Sequence, residues 1–445
     1  MTQKIKVITV ATESTPELAA LERSCRRHGM DLTVLGLGKP WLGFGMKILL
    51  TYEYLKALDG YTHFIFVDAY DTLFIRPVAE VPEFIVFSTE KNCWPDVTAP
   101  YPPSPATWKY LNSGCYSAPI SEYLKLIEAN HVNNYDDDQR YFTKLYLAGN
   151  GRLDTNCIMF QSMAFAAAHE ISYNDGLFRN NITFSTPSIL HFNGKCHDKT
   201  IYAMVEYNTL QECKDRWQDS EIFAKEINET FVTKVNAMPE LNAHRTFVEQ
   251  NVFGFGERSF PWLWNLLIKE MPKEFTFLEV GVFKGQTLSL VELLAKMHKR
   301  KATRYGVTPL SSEGGVWESD YKHDIEFIHD QFKLNKDYEL LVGLSEDPAI
   351  IEQASKLQLD ILYIDGGHEE RHITNDIVHY SPLVKPGGYM VIDDCCNSFK
   401  MPWGYFQGID TVTRVVDRML PPFTANEQWQ FVFSVVHNRV YRRVK

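Results

Sequence analysis

The sequence predicts an α/β protein of two consecutive domains, and three observations support that class. At 445 residues the chain is longer than one ordinary core can use. In its first half, short apolar runs alternate with helix-length segments, and the same alternation restarts near Phe260. Between the halves, from Lys195 to about Arg245, apolar strands vanish and polar residues rise, as in Gln211-Glu-Cys-Lys-Asp215. Strands separated by helices imply a layered fold with a largely parallel sheet. The expected division is a first domain over 1–200, a helical connector over 201–250 and a second domain over 251–445.

Taken in order, Ile5 to Val10 is a β-rich run. Pro16 to Gly29 has proline near its start and glycine as its stop, which reads as a helix. Leu32 to Leu37 is a second strand, followed by glycines at 36, 38, 43 and 45. Met46 to Leu58 is helical, and Phe64 to Val67 is a wholly apolar strand that runs into Asp68. Phe84 to Phe87 and Ser188 to Leu190 are further strands. In the second half a helix over Trp262 to Lys269 precedes strands at Phe275–Val280, Thr303–Val307, Tyr338–Val342, Ile361–Ile364 and Tyr389–Ile392.

The composition, 45% hydrophobic and 23% charged, is that of a soluble globular protein, and a formal net charge of -11 excludes a general nucleic-acid binder, which carries a basic footprint. Anionic small ligands stay open, since a metal or a backbone nest binds phosphate inside an acidic protein. Cys25, Cys93, Cys115, Cys157, Cys196, Cys213, Cys395 and Cys396 form no C-x-x-C pair, which argues against a zinc knuckle. No apolar leader precedes the first strand, and no run of about 18 apolar residues follows. A cytoplasmic setting without a membrane span is therefore expected, with the sequons at Asn181 and Asn228 unmodified.

Asp68-Ala-Tyr-Asp71 follows an apolar strand, and ligands of open α/β sheets sit at the carboxyl ends of strands. Two carboxylates across one turn can converge on a hard divalent cation, which bridges a diphosphate and offsets its charge. Taken alone, such a pair is more commonly a solvated turn or a helix cap. His191 lies after a strand and before Asn193-Gly194, and taken alone it reads as an ordinary core or surface histidine. Asp136-Asp137-Asp138 is a like-charge run of the kind that starts helices, where acids meet the helix dipole.

The segments Thr9-Val-Ala-Thr-Glu13, Val34-Leu-Gly-Leu-Gly38, Phe66-Val-Asp-Ala-Tyr-Asp71, Phe87-Ser-Thr-Glu90, Cys93-Trp-Pro95, Leu111-Asn-Ser-Gly114, Asp136-Asp-Asp-Gln139 and His191-Phe-Asn-Gly194 occur in one order. Together they resemble the glycosyltransferase domain of the procollagen lysyl hydroxylase and collagen glycosyltransferase family. The resemblance implies a GT-A-type fold, a UDP-sugar donor and Mn2+. It assigns Asp68, Asp71 and His191 to the metal, Tyr70 to stacking on the uracil, and Thr12, Leu35 and Gly36 to the nucleotide pocket. Lys47 would offset diphosphate charge. Trp94, the turn Asn112-Ser113-Gly114 and the pair Asn193-Gly194 would shape the sugar pocket. The acidic run would face the acceptor, with Asp138 first and Asp137 second as the group that orients or deprotonates an acceptor hydroxyl. The match stops short of an iron- and oxoglutarate-dependent hydroxylase domain, so a collagen acceptor is not expected.

In the second half Glu279-Val-Gly281-Val-Phe-Lys-Gly285-Gln-Thr287 directly follows a strand, and glycines there let backbone approach a ligand. Asp360-Ile-Leu-Tyr-Ile-Asp365-Gly-Gly-His368 and Val384-Lys-Pro-Gly-Gly-Tyr-Met-Val-Ile-Asp393-Asp394 follow. This set resembles class I S-adenosylmethionine-dependent methyltransferases, the sugar O-methyltransferases among them. The resemblance implies a Rossmann-like fold in which Glu279, Gly281 and Gly285 line the cofactor. Asp365, Asp393 and Asp394 would hold Mg2+, and His368 would act as general base. Where such domains commonly carry an acid for the ribose, at the end of the second strand, this chain has Thr308.

Both resemblances together imply a bifunctional glycan-modifying enzyme, with a nucleotide-sugar donor and a glycan acceptor as partners, and a homo-oligomer is compatible with that. Two alternatives stay open. One is a glycosyltransferase whose methyltransferase-like domain is a non-catalytic acceptor binder. The other is an inactive carbohydrate-binding scaffold, which would be expected to have lost Asp68, Asp71 or His191; all are present.

Overall fold

The computed structural model describes residues 3–167, 169–174, 177–194, 205–216, 221–311, 321–395, 406, 408–420 and 428–445. They form two compact units, Met1–Val205 and Glu206–Lys445.

The first unit runs β1 (Ile5–Val10), α1 (Pro16–Arg27), β2 (Leu32–Leu35), α2 (Gly45–Lys56), β3 (His63–Val67), β4 (Thr72–Phe74), β5 (Val86–Glu90), β6 (Tyr110–Pro119), α3 (Ile120–Ala129), α4 (Asp138–Leu147), β7 (Arg152–Leu153), β8 (Phe160–Ser162), β9 (Ile171–Asn174), β10 (Leu177–Asn180) and β11 (Ile189–His191). Its main sheet has the order β2-β1-β3-β6-β5-β7. The pairs β1–β2, β1–β3 and β5–β7 are parallel, whereas β6 is antiparallel to both its neighbours. The sheet is thus mixed, because the long strand β6, absent from the sequence reading, enters in reverse between β3 and β5.

Strand β3 shows why an all-apolar run was needed. Alternate side chains leave opposite faces of a strand. Phe64 and Phe66 pack into one core with Tyr116, Tyr123 and Phe142, while Ile65 and Val67 pack into another with Val7, Leu21 and Phe160. A second sheet of order β4-β11-β8 supports the site. The expected strand Ser188–Leu190 is shifted by one residue and includes His191, which pairs with Thr72 of β4.

The second unit contains α5 (Leu210–Arg216), α6 (Glu221–Ala237), α7 (Pro239–Asn251), α8 (Phe260–Glu270), β12 (Glu274–Val280), α9 (Gln286–Met297), β13 (Lys301–Thr308), α10 (Tyr321–Gln331), β14 (Tyr338–Val342), α11 (Pro348–Ala354), β15 (Leu359–Ile364), α12 (Glu370–Tyr380), β16 (Val384–Ile392), α13 (Asp410–Met419), β17 (Trp429–Val435) and β18 (Asn438–Arg443). The segment expected as a connector is helical and also feeds this unit's core, through Ile227, Phe231, Val235 and Leu241. The sheet order is β14-β13-β12-β15-β16-β18-β17. Its first five strands are parallel in the doubly wound sense, and the hairpin β17–β18 closes the far side antiparallel. The order reverses between β12 and β15, which opens a crevice at their carboxyl ends.

No helix among the described residues is long and apolar enough to cross a membrane. Cys25, Cys93, Cys115, Cys157, Cys213 and Cys395 are free thiols, and Cys196 and Cys396 lie outside the described residues.

Candidate active sites

In the first unit the turn from β3 to β4 carries both acids. Asp68 is anchored where its amide donates to the Gly114 carbonyl at 2.7 Å, and the Phe192 amide donates to the Asp71 carbonyl at 2.7 Å. These two tethers, with the His191–Thr72 register, bring side chains from two distant segments together. Nε2 of His191 lies 3.3 Å from Asp71 Oδ1 and 3.7 Å from Asp68 Oδ2. The three residues offer ligand atoms that all lie within 4.8 Å of one another. His191 is buried, and neither ring nitrogen has a hydrogen-bond partner. A buried imidazole without a hydrogen bond is costly, and its contacts with the two acids offset that only in part; a cation among these three residues would offset it directly. Burial works against charge on His191, but Asp71 and Asp68 outweigh it and raise its pKa.

Gly114 is fixed by the same packing. A Cβ there would collide with His191 Cε1 and stand 2.6 Å from Asp68 Oδ2. This is a requirement for absent side chain, not for a special backbone angle.

Lys47 of α2 is buried rather than exposed. Its Nζ lies 2.7 Å from Asp68 Oδ1 and 2.6 Å from Asp138 Oδ2. Burial opposes its charge, but those two carboxylates outweigh burial and hold the ammonium protonated. The lysine thereby ties the metal-type acids to the acidic run. Within that run Asp137 caps α4, accepting the Arg140 amide at 2.8 Å, whereas Asp138 is buried against Lys47. Asp138 is thus the member of the run that reaches the cluster, and Asp137 performs the capping alternative. Asp136 accepts from the Asn133 amide at 2.9 Å.

The expected sugar-pocket residues meet on a carboxylate that the sequence reading did not single out. Glu90, at the end of β5, accepts from Gln139 Nε2 at 2.6 Å, Asn193 Nδ2 at 3.0 Å and Asn112 Nδ2 at 3.4 Å. Burial pushes its pKa up. Asn112 Oδ1 in turn accepts the Gly114 amide at 3.0 Å, and Ser113 donates to Gln139 Oε1. Gln139 also donates to the Trp94 carbonyl at 2.8 Å, leaving the Trp94 ring 64% exposed. The signal for Glu90 was an acid ending an otherwise buried strand. Gly194 follows Asn193 in a turn. Thr12, Leu35 and Gly36 meet at the carboxyl ends of β1 and β2: the Ala11 amide donates to Leu35 O and the Gly38 amide to Thr12 O. Tyr70 hydrogen-bonds the Glu13 backbone through its hydroxyl, with its ring partly exposed.

The second unit holds a cavity of about 450 Å³ at the crevice of its sheet, walled by Phe253, Phe283, Glu279, Asp365, His368, Asp393, Asp394 and His437 among others. Gly281, at φ +99°, brings the β12 loop against the β15 loop, where a Cβ would collide with the Asp365 carbonyl. Gly285 starts α9 in the left-handed region at φ +83°. Glu279 is buried at the end of β12, and burial lifts its pKa to about 8. One of its oxygens, Oε2, has no hydrogen-bond partner. Burial beside Asp393, Asp394 and Glu279 raises the pKa of Asp365 far above the carboxylate range.

The metal-type cluster differs from the expected trio. The atoms that converge are those of Asp393, Asp394 and His437, while Asp365 lines the cavity outside that group. His368 Nε2 lies 2.7 Å from Asp394 Oδ2, a hydrogen bond that raises the His368 pKa. Asp393 accepts from the Tyr363 hydroxyl at 2.7 Å. His437 sits in the β17–β18 turn, roughly 40 residues beyond the acids, a spacing that carries no recognisable signal. Thr308 is turned inward: its hydroxyl donates to Val282 O and accepts the Leu310 amide.

Residues 1–215 match the family model described as the PLOD GT domain, and residues 278–395 match one described as a methyltransferase domain. The protein thus joins a glycosyltransferase-like domain to a Rossmann-like methyltransferase domain. Among curated relatives, the procollagen-lysine,2-oxoglutarate 5-dioxygenase of Drosophila melanogaster is 32% identical over 221 residues, covering 43% of this chain and 30% of that protein. The multifunctional procollagen lysine hydroxylase and glycosyltransferase of Caenorhabditis elegans is 32% identical over 174 residues, 34% of this chain and 24% of that protein. The chain therefore spans less than a third of the length of these relatives. Solved structures similar to the chain include an O-methyltransferase from Bacillus cereus in complex with SAH, at 11% identity and TM-score 0.35, covering 50% of this chain and all of that one. A TDP-rhamnose 3'-O-methyltransferase of calicheamicin biosynthesis is 14% identical with TM-score 0.32, covering 52% and 99% of the two chains.

Proposed function

We propose that this protein is a bifunctional glycan-modifying transferase. Its first unit moves a sugar from a UDP-sugar to a glycan acceptor with Mn2+ at Asp68, Asp71 and His191. Its second unit methylates a sugar hydroxyl with S-adenosylmethionine. The observation that carries the reading is His191, buried without a hydrogen-bond partner between two acids and against a glycine that leaves it room. A divalent cation bound there would neutralise the departing diphosphate. Asp138, paired with Lys47, faces the acceptor side and accepts or orients the acceptor hydroxyl proton while the glycosidic bond forms. Tyr70, Thr12, Leu35 and Gly36 frame the uridine, and Trp94, Asn112, Ser113, Asn193 and Gly194 frame the sugar.

The second cavity favours a cationic ligand. Glu257, Glu279, Asp365, Asp393 and Asp394 line it, and no lysine or arginine is among its described lining residues. S-adenosylmethionine carries a positive sulfonium, and such a wall attracts it. Glu279 binds the cofactor's ribose, the Gly281 and Gly285 loop lies along its methionine part, and His368 takes the proton of the sugar hydroxyl that receives the methyl group. Calorimetry with UDP and Mn2+ on wild type and Asp71→Asn tests the first unit; equal binding by both removes the metal reading. Incubation with S-adenosylmethionine and glycosylated products, read by mass, tests the second. Absence of methyl transfer there favours the alternative of a non-catalytic, acceptor-binding second unit, which the inward-turned Thr308 supports.

A further inference from the structure

We infer that His437 is a direct ligand in the second unit's metal centre, making that centre selective for a first-row transition-metal ion over Mg2+. The inference rests on reading this unit as a methyltransferase with a metal at its strand ends, and it changes the donor set from all-carboxylate to mixed.

Four observations converge. His437 is 3% exposed, and its Nε2 has no hydrogen-bond partner. Its Nδ1 lies 2.7 Å from Asp393 Oδ1 and 3.6 Å from Asp394 Oδ1, so all three side chains point at one spot. The loop that presents it is a two-residue hairpin, Val436-His437, closed by the pair Val435–Asn438. Such turns favour asparagine or glycine where φ is positive, yet Val436 occupies φ +50°. A β-branched residue in that region is strained, and strain persists where the surroundings over-determine the geometry. Finally, the His437 carbonyl accepts the Cys395 amide at 2.8 Å, which latches the hairpin to the segment carrying both acids. Asp394 itself stands at φ +51°, turning its carboxylate toward the same point.

The chemistry then sets the preference. Mg2+ demands oxygen ligands and gives up water reluctantly. Imidazole nitrogen is a softer donor that favours transition metals. An ion-pair role for His437, holding Asp393 in place with no metal, is the competing explanation.

The experiment uses the full chain carrying Asp71→Asn and His191→Gln, which silences the first centre. Mn2+ titration with pulsed electron paramagnetic resonance is expected to show one bound ion with nitrogen hyperfine coupling, and Mn2+ outcompeting Mg2+ by more than about tenfold. Adding His437→Gln should abolish the coupling and bring the two ions within about threefold of each other. A bound Mn2+ without nitrogen coupling, or no bound Mn2+, overturns the inference. S-adenosylmethionine binding is measured in the same proteins. If it is present while the nitrogen-coupled ion is absent, only the metal inference falls; if both are absent, the methyltransferase reading falls with it. Should His437→Gln fail to fold, the coupling in its parent decides alone.

Discussion

In the first unit Asp68 and Asp138 share a buried lysine, whereas in the second Asp393 and Asp394 sit among further carboxylates. Both centres place two acids beside a buried histidine, and both take that histidine from a strand or turn remote in sequence. The difference lies in how the surroundings balance charge. Lys47 offsets the acids of the first centre before any ligand arrives, as the proposed diphosphate-binding role would require. The second cavity leaves its negative charge for a cation to neutralise, and in the meantime Glu279 and Asp365 hold their protons to unusually high pH. Under the proposed function, similar donor sets serve opposite ligand charges because their neighbours differ.

That contrast can be broken in order of expected effect. Asp71→Asn should lower Mn2+-dependent UDP affinity and sugar transfer by more than about 100-fold. S-adenosylmethionine binding should be unchanged; a parallel loss in both assays would show that the centres are not independent. Next, Lys47→Met leaves the buried Asp138 and the half-buried Asp68 without their cation. A loss of about 3 kcal/mol in the stability of the first unit is expected by denaturant titration. Unchanged stability would mean that the lysine is not the compensating charge.

A smaller effect is expected from Gly114→Ala, whose new methyl must displace the His191 ring. Metal affinity should fall by about tenfold or more while the far-ultraviolet circular dichroism is retained. Normal Mn2+ affinity would argue against the cluster geometry.

The smallest effect concerns pH. With its pKa near 8, Glu279 is largely protonated at pH 7 and ionised at pH 9. The carboxylate is the form that accepts from ribose hydroxyls and attracts the sulfonium. Affinity for S-adenosylmethionine should therefore rise with pH through 8, by up to about tenfold. Glu279→Gln should bind about tenfold more weakly than wild type at pH 9 and lack this rise. Comparable titration of UDP binding is not expected to follow Glu279, which separates the two sites again.

Much of the architecture was legible because it depends on local pattern. The apolar run Phe64–Val67 demanded a strand buried on both faces, and the glycine loop after Phe275–Val280 demanded a close backbone approach. Strand β6 was missed because Tyr110–Pro119 mixes Asn, Ser and Gly into a buried strand; the side chains of Asn112 and Ser113 find partners in Glu90 and Gln139, which periodicity cannot reveal. The resemblance singled out Lys47 as a cation for a diphosphate, but its bridge between Asp68 and Asp138 was not legible in the sequence. The role of Asp137 followed the ordinary rule for helix starts, while its neighbour Asp138 departed from it through burial.

By itself the sequence determined the two α/β units, the strand-end acids and the glycine loop, since these follow from residue period, turn chemistry and contiguous motifs. The family resemblance had already joined His191 to Asp68 and Asp71, whereas tertiary structure alone joined His437 to Asp393 and Asp394. His191 reaches Asp71 through the β4–β11 register, and His437 reaches Asp393 through a hairpin latched to Cys395. Both depend on strand pairing between distant segments, which local sequence does not encode, and on packing that buries each imidazole beside its acids.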